Sequence, residues 1–352
     1  MGDRLIRFGI IGAGGVAQAY AHAFEVCAGA NLVAVADVRP DAARALAERG
    51  DDCRSYDSYE ALAADAKLDA VVVCTPPVTH EEICLHFLRR KVHVLCEKPL
   101  SIGVESARRM LDAAEREGVL LTMASKFRYV EDVARAKSLV ASGVIGEVVL
   151  FENTFTSHVD MSSRWNSRPE ISGGGVLIDN GTHSVDLTRY FLGPLAEVQV
   201  VEGKRSQGLA VEETVRMTVR SVEGVLGAID LSWSIDKESD NYVSIYGSHG
   251  TVRLGWRESK YRQASEHDWV VFGSGYDKVG AFSRQIENFS RAILGHEPLR
   301  VTAVDALASV EVIEAAYVAL RQHQWTGVGR TAAPLFTRTA GGGLVEDMGS
   351  VG

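Results

Sequence analysis

The chain has no apolar run approaching the roughly 18 residues that read as a membrane span. Its first residues lead into a short apolar stretch at 5–11 without the pattern of a secretory signal, so the expected compartment is the cytoplasm. It also lacks any Lys/Arg run: 37 basic residues stand against 46 acidic ones, and the net charge of −9 disfavours both nucleic acid and an anionic membrane as partners. Cysteine is scarce. The five present, Cys27, Cys53, Cys74, Cys84 and Cys96, are odd in number and contain no C-x-x-C spacing, so neither zinc nor redox work is assigned to them and no metal is expected. Cys74 and Cys96 fall in apolar runs, where cysteine behaves as a small core residue.

What is present is an ordinary folded mixture, 46% hydrophobic and 24% charged over 352 residues, a length that predicts two domains with room for a cleft. Residues 5–11 end at Gly12-Ala13-Gly14-Gly15-Val16-Ala17, helical character follows through Phe24, and a second apolar run at 31–36 ends at Asp37. That is one βαβ unit. Gly12 permits the tight turn, Gly14 lets backbone approach a pyrophosphate, Ala17 keeps helix close to strand, and the helix N-terminus stabilises the phosphates. Asp37, 23 residues beyond Gly14 (37 − 14), has the place of the acid that accepts both adenine-ribose hydroxyls. Its charge favours NAD, while Arg39, after Val38, keeps NADP as the alternative.

The alternation continues with strands at 69–75, 92–96 and 120–124 and helices at 79–90 and 104–118, which predicts a doubly wound parallel sheet with ligands beyond the carboxyl ends of its strands. Thr75-Pro76 and Glu97-Lys98-Pro99 lie at such ends, and the X-Pro bond there is a candidate for the cis form. A lysine at a strand end is by default a solvated charge. It gains meaning from Gly173-Gly174-Gly175, which opens a helix running to Leu192 before Gly193-Pro194. Asp179, His183 and Asp186 share one face of that helix. Hydride transfer at an alcohol needs a base for the hydroxyl proton, and an imidazole steadied by a carboxylate suits that task; the blander reading is a helix-start acid plus a core histidine.

Taken in order, Gly12-x-Gly14-x-x-Ala17, Thr75-Pro76 followed by His80, Val94-Leu95-Cys96-Glu97-Lys98-Pro99, Val144-Ile145-Gly146-Glu147-Val148 and the glycine triplet leading to His183-x-x-Asp186 resemble the glucose-fructose oxidoreductase, inositol dehydrogenase and MocA family, Gfo/Idh/MocA, over essentially the full length. The resemblance implies an α/β Rossmann domain, residues 1–127, and a C-terminal α+β domain, 128–330, on a large open, mostly antiparallel sheet whose outer face forms a homodimer or homotetramer. It implies His183 as general base, Asp179 as the group that tunes it, and Lys98 as the residue that binds the reacting oxygen and relays protons. The cofactor is expected to meet Gly12, Gly14, Gly15, Val16, Ala17, Asp37, Val38, Arg39, Thr75, Pro76, His80, Glu97 and Lys98. Arg128-Tyr129 fills the Arg-aromatic positions after the last Rossmann strand; in the loop 164–168 Trp165 suits a sugar face and Arg164 a phosphate or carboxylate, the blander reading being surface charge plus a packing anchor, and these four, with Lys98, Asp179 and His183, are the expected substrate contacts.

Strands are expected at 211–220, 227–233 and 242–246, closing helices at 281–294 and 303–322, and a mobile tail at 331–352. The expected activity is an NAD(P)-dependent oxidoreductase moving a hydride at a secondary alcohol or ketone of a sugar, cyclitol or nucleotide-linked sugar. The competing readings are a glycosidase that keeps its NAD bound, and a sugar-sensing regulator without chemistry.

Overall fold

A computed structural model describes residues 4–329 and the backbone of 336–338 and 344–346. Most of the tail expected from residue 331 onward lies outside the described residues. The chain divides into two compact units, the first made of residues 1–101, 106–130 and 277–307, the second of 102–105, 131–276 and 308–352.

In the first unit β1 (Ile6–Ile11), α1 (Gly15–Val26), β2 (Ala30–Ala36), α2 (Pro40–Ala47), β3 (Arg54–Tyr56), α3 (Tyr59–Asp65), β4 (Ala70–Val73), α4 (His80–Leu88), β5 (His93–Cys96), α5 (Val104–Glu117) and β6 (Leu121–Met123) alternate. The strands form one sheet in the order β3-β2-β1-β4-β5-β6, and every pair is parallel. The central strands are apolar on both faces, as a sheet covered by helices on two sides requires: all four residues of β4 are fully buried. The first unit also takes in an element from far down the chain. Helix α9 (Lys278–Ile293) returns to this unit because its apolar stripe, Phe282, Ile286 and Phe289, completes the core around Phe8, Tyr20 and Phe24.

The second unit contains α6 (Glu131–Ala141), β7 (Val148–Thr156), the single turn α7 (Pro169–Ser172), α8 (Val176–Leu192), and the strands β8 (Leu195–Glu202), β9 (Thr214–Ser221), β10 (Leu226–Ser232), β11 (Asn241–Gly247), β12 (Gly250–Gly255), β13 (Ser259–Gln263) and β14 (Val270–Gly273). Helix α10 (Ala303–Gln322) and the short β15 (Thr326–Gly327) close it, while β16 (Phe336–Arg338) and β17 (Leu344–Glu346) pair only with each other. The nine-stranded sheet runs β14-β13-β12-β11-β7-β10-β9-β8-β15, antiparallel throughout except where β10 lies parallel to β7. Alternation decides which face is covered. Val215, Met217 and Val219 of β9, with Ile229 and Leu231 of β10, are buried on the side that α8 packs against, while Arg216, Arg220 and Asp230 point the other way. Among the described residues no helix is long and apolar enough to cross a membrane.

Candidate active site

Strand β1 runs into a glycine turn built for close approach. Gly12 has φ +92° and donates its N–H to Ala36 O at 2.7 Å; a Cβ there would lie 2.9 Å from the Cys74 carbonyl oxygen. Gly14 is the N-cap of α1, and no side chain caps that helix. Added Cβ atoms at Gly14 and Gly15 would meet nothing within 4 Å. Bare N–H groups, open space and a helix dipole fit a pyrophosphate, so these residues suit NAD. Val16 follows in the first turn, and Ala17 is fully buried, as the close packing of α1 on β1 requires.

Asp37 lies behind the turn with its Oδ2 accepting the Ala13 N–H at 2.6 Å, and its Oδ1 accepting the Arg39 N–H at 2.8 Å and Arg39 Nε at 3.0 Å. Burial opposes its ionisation, but the bonds from Arg39 and Ala13 outweigh that and hold the carboxyl below its ordinary value. Val38, by contrast, is 87% exposed.

At the ends of β4 and β5, His80 was expected to line the cofactor. It has no exposed surface; its Nδ1 lies 2.9 Å from Pro99 O and its Nε2 2.8 Å from Thr75 O, so it ties the two strand-end loops to each other. Glu97 is buried, accepting from the Tyr20 hydroxyl at 3.0 Å and from the Lys98 N–H at 3.1 Å. Burial raises its carboxyl, with Lys98 and Lys126 opposing. Lys98 itself is half-buried, and the Lys98–Pro99 bond is cis.

Arg128 and Tyr129 also turn inward. Arg128 is 5% exposed and reaches Asp305 at 3.2 Å and the Arg300 carbonyl at 3.3 Å, while the Tyr129 hydroxyl donates to Asn288 Oδ1 at 3.0 Å. Little of either side chain is left to meet a substrate.

In the second unit α8 carries Asp179 in its first turn, where a carboxylate complements the helix dipole, and His183 one turn later, 9% exposed. Asp186 follows on the same face, buried. Arg164 and Trp165 stand on an exposed loop before α7, with Trp165 40% exposed. An indole held out in this way offers an apolar face to a sugar ring.

Four groups of the second unit went unread in the sequence. Glu212 Oε1 accepts the N–H of Gly175 at 2.8 Å and of Leu177 at 3.1 Å, together with the Tyr317 hydroxyl at 2.8 Å. The adjacent Glu213 accepts N–H bonds from Ser206, Gln207 and Leu209 at 2.7–3.1 Å and the Ser234 hydroxyl at 2.8 Å. The Gln207 amide in turn donates to Val159 O at 3.0 Å and accepts from Met161 N–H at 3.0 Å. The one signal in the sequence was phase: Glu213 falls in step with the buried Val215, Met217 and Val219.

Comparison with known proteins shows the family. Residues 6–125 match the model of the oxidoreductase family with an NAD-binding Rossmann fold, and residues 133–253 match the Gfo/Idh/MocA C-terminal domain. The chain belongs to the Gfo/Idh/MocA oxidoreductase family. Inositol 2-dehydrogenase of Rhizobium meliloti is 29% identical over 332 residues, 88% of this chain and 96% of that one. D-glucoside 3-dehydrogenase of Escherichia coli is 36% identical over 192 residues, 53% of this chain and 54% of the relative. Among solved structures, levoglucosan dehydrogenase with NADH and levoglucosan superposes with a TM-score of 0.85 at 22% identity over 93% of this chain and all of that one. GenD2 from gentamicin A biosynthesis, in complex with NAD, gives 0.82 at 26% identity over 93% of this chain and 97% of its own. This Gfo/Idh/MocA member is therefore an NAD(P)-dependent oxidoreductase, with its NAD-binding Rossmann domain within residues 6–125.

Proposed function

We propose that the protein is a dehydrogenase or ketoreductase acting on a secondary alcohol of a sugar or cyclitol. The observation that carries this reading is the Asp179-His183 pair, one turn apart on α8. The names of the relatives, inositol and glucoside dehydrogenases among them, support the substrate class.

In the oxidative direction a ring nitrogen of His183 takes the hydroxyl proton, Asp179 orients the ring and offsets its positive charge, and the Lys98 ammonium holds the oxygen as it gains negative character. The nicotinamide, when bound, supplies the hydride acceptor. Trp165 offers its face to the ring of the substrate and Arg164 a charge to any carboxylate or phosphate on it. Glu97, Thr75 and Pro76 serve the cofactor side. Arg128, Tyr129 and His80 act as scaffold. NAD is preferred over NADP because Asp37 repels a 2'-phosphate. The enzyme assembles as a homodimer or homotetramer through the face of the nine-stranded sheet opposite α8. It works in the reducing cytoplasm, a reading supported by five cysteines that all stand as free thiols.

The test is absorbance at 340 nm with NAD and NADP against inositols, free hexoses and pentoses, methyl glucosides, sugar acids and nucleotide sugars. Reduction with one group names the substrate class. Silence across the panel, with NAD found tightly bound to the purified protein, selects the NAD-retaining glycosidase or the sensor instead. The His183→Ala variant is expected to lose activity by about a hundredfold or more while its NADH affinity stays within about twofold. Loss of NADH binding together with turnover would remove His183 from the role of base.

A further inference from the structure

The glycine triplet before α8 has the look of a ligand loop, yet its anion site is already filled by the protein. Three successive N–H groups at the helix start, those of Gly175, Val176 and Leu177, are all satisfied by one residue: the Glu212 carboxylate takes the first and third, and the Glu212 backbone carbonyl takes the second at 3.0 Å. No side chain of α8 itself does this work. Glycine is required because a Cβ at residue 175 would overlap the Glu212 backbone carbonyl, and one at 174 the Tyr317 hydroxyl. The next residue, Glu213, faces elsewhere, and through Gln207 it holds residues 159 and 161, which lead into the Arg164-Trp165 loop.

We infer that Glu212 and Glu213 are a pair of positioning residues, Glu212 setting the register of the helix that presents Asp179 and His183, and Glu213 setting the loop that presents Trp165. This rests on the dehydrogenase reading above. Both carboxylates are buried, so each acts through the element it holds. The two also differ in what they need to be. Glu212 gathers three donors onto a single oxygen, so an amide oxygen serves equally well. Glu213 accepts on both oxygens, so an amide nitrogen in place of either would face an N–H or hydroxyl donor.

A division of kinetic effects follows that general loosening of the fold would not produce. With whichever alcohol of the panel the unmodified enzyme oxidises, Glu212→Ala should lower kcat by about ten- to a hundredfold, the scale of a small misplacement of a catalytic group, with KM and NADH affinity within about threefold. Glu212→Gln should recover most of that loss. Glu213→Gln should raise KM by about tenfold with kcat within about threefold. Equal losses in Glu212→Ala and Glu212→Gln, or the same mixture of kcat and KM effects from both glutamates, would overturn the assignment. So would a lowered melting temperature with unchanged kinetics, which marks the pair as structural only. Failure of the unmodified protein to turn over any alcohol overturns the dehydrogenase reading itself, and is distinguished from failure of the pair by being seen before any substitution.

Discussion

Two glycine clusters in this molecule each open a helix, and they are used in opposite ways. At Gly12–Gly15 the helix start is uncapped and the space beside Gly14 and Gly15 is open; at Gly173–Gly175 the corresponding N–H groups are consumed by Glu212, and the space is filled by Glu212 and Tyr317. A helix N-terminus attracts an anion in both cases. In the first, on the cofactor reading proposed above, the anion comes from outside, as the dinucleotide phosphates. In the second the chain supplies its own, and the glycines serve intramolecular packing. A glycine-rich turn is thus a ligand site only where the protein leaves its donors unanswered.

The sharpest way to break this comparison is to add one methyl group to each turn. Gly175→Ala should destabilise the protein by about 3 kcal/mol or more, because the new Cβ meets backbone that has no rotamer to yield. Gly14→Ala should cost less than about 1 kcal/mol, since its backbone is extended and its surroundings are open, yet weaken NADH by about tenfold or more by standing where the pyrophosphate approaches. Thermal unfolding and an NADH fluorescence titration separate the two losses. The contrast fails if Gly14→Ala unfolds the protein, or if Gly175→Ala melts normally and loses only NADH.

How much of this was legible beforehand depends on the range of the interactions. The first turn was readable because each of its requirements is local: Gly12, Gly14 and Ala17 meet one strand and one helix in immediate succession, and Asp37 ends the next strand. Asp179 and His183 were readable for the same reason, as an i, i+4 pair. The inward turn of Arg128 was not, since its partners Asp305 and Arg300 lie more than 170 residues away. Glu212 and Tyr317 were hidden likewise, at 37 and 105 residues from what they touch. The return of α9 to the first core had the same cause: an amphipathic stripe in sequence does not say which core it covers.

A smaller effect distinguishes the carboxylates behind the two turns. Asp37 sits below its ordinary value of 3.8, held by Arg39 and Ala13 against burial, whereas burial lifts Glu212 above its ordinary 4.5, with Tyr317 and the helix N–H groups opposing. A lowered carboxyl contributes stability above its unfolded value and loses it as pH falls through the folded one; a raised carboxyl contributes fully below its unfolded value and loses that contribution as pH rises through the folded one. In urea unfolding between pH 7 and pH 3, the stability advantage of the unmodified protein over Asp37→Ala should shrink toward acid, and its advantage over Glu212→Gln should grow. Parallel curves would mean that the two carboxylates share one environment in the folded state.

The smallest expected effect concerns the turn that is left open. A carboxylate offers about four lone-pair positions. Those of Asp37 are taken by Ala13 N, Arg39 N, Arg39 Nε and, at 3.2 Å, Arg39 Nη2, so the two ribose hydroxyls can bind only where the guanidinium lets go. Letting go costs little, because the Arg39 side chain is 65% exposed and an ion pair in that setting contributes at most about 1 kcal/mol. Arg39→Ala should therefore tighten NADH by no more than about fivefold, and it should weaken NADPH, which loses the cation available to its 2'-phosphate. Weaker NADH binding in this variant would instead make Arg39 a contact of the bound dinucleotide, and the first turn would then depend on a side chain as well as on its backbone donors.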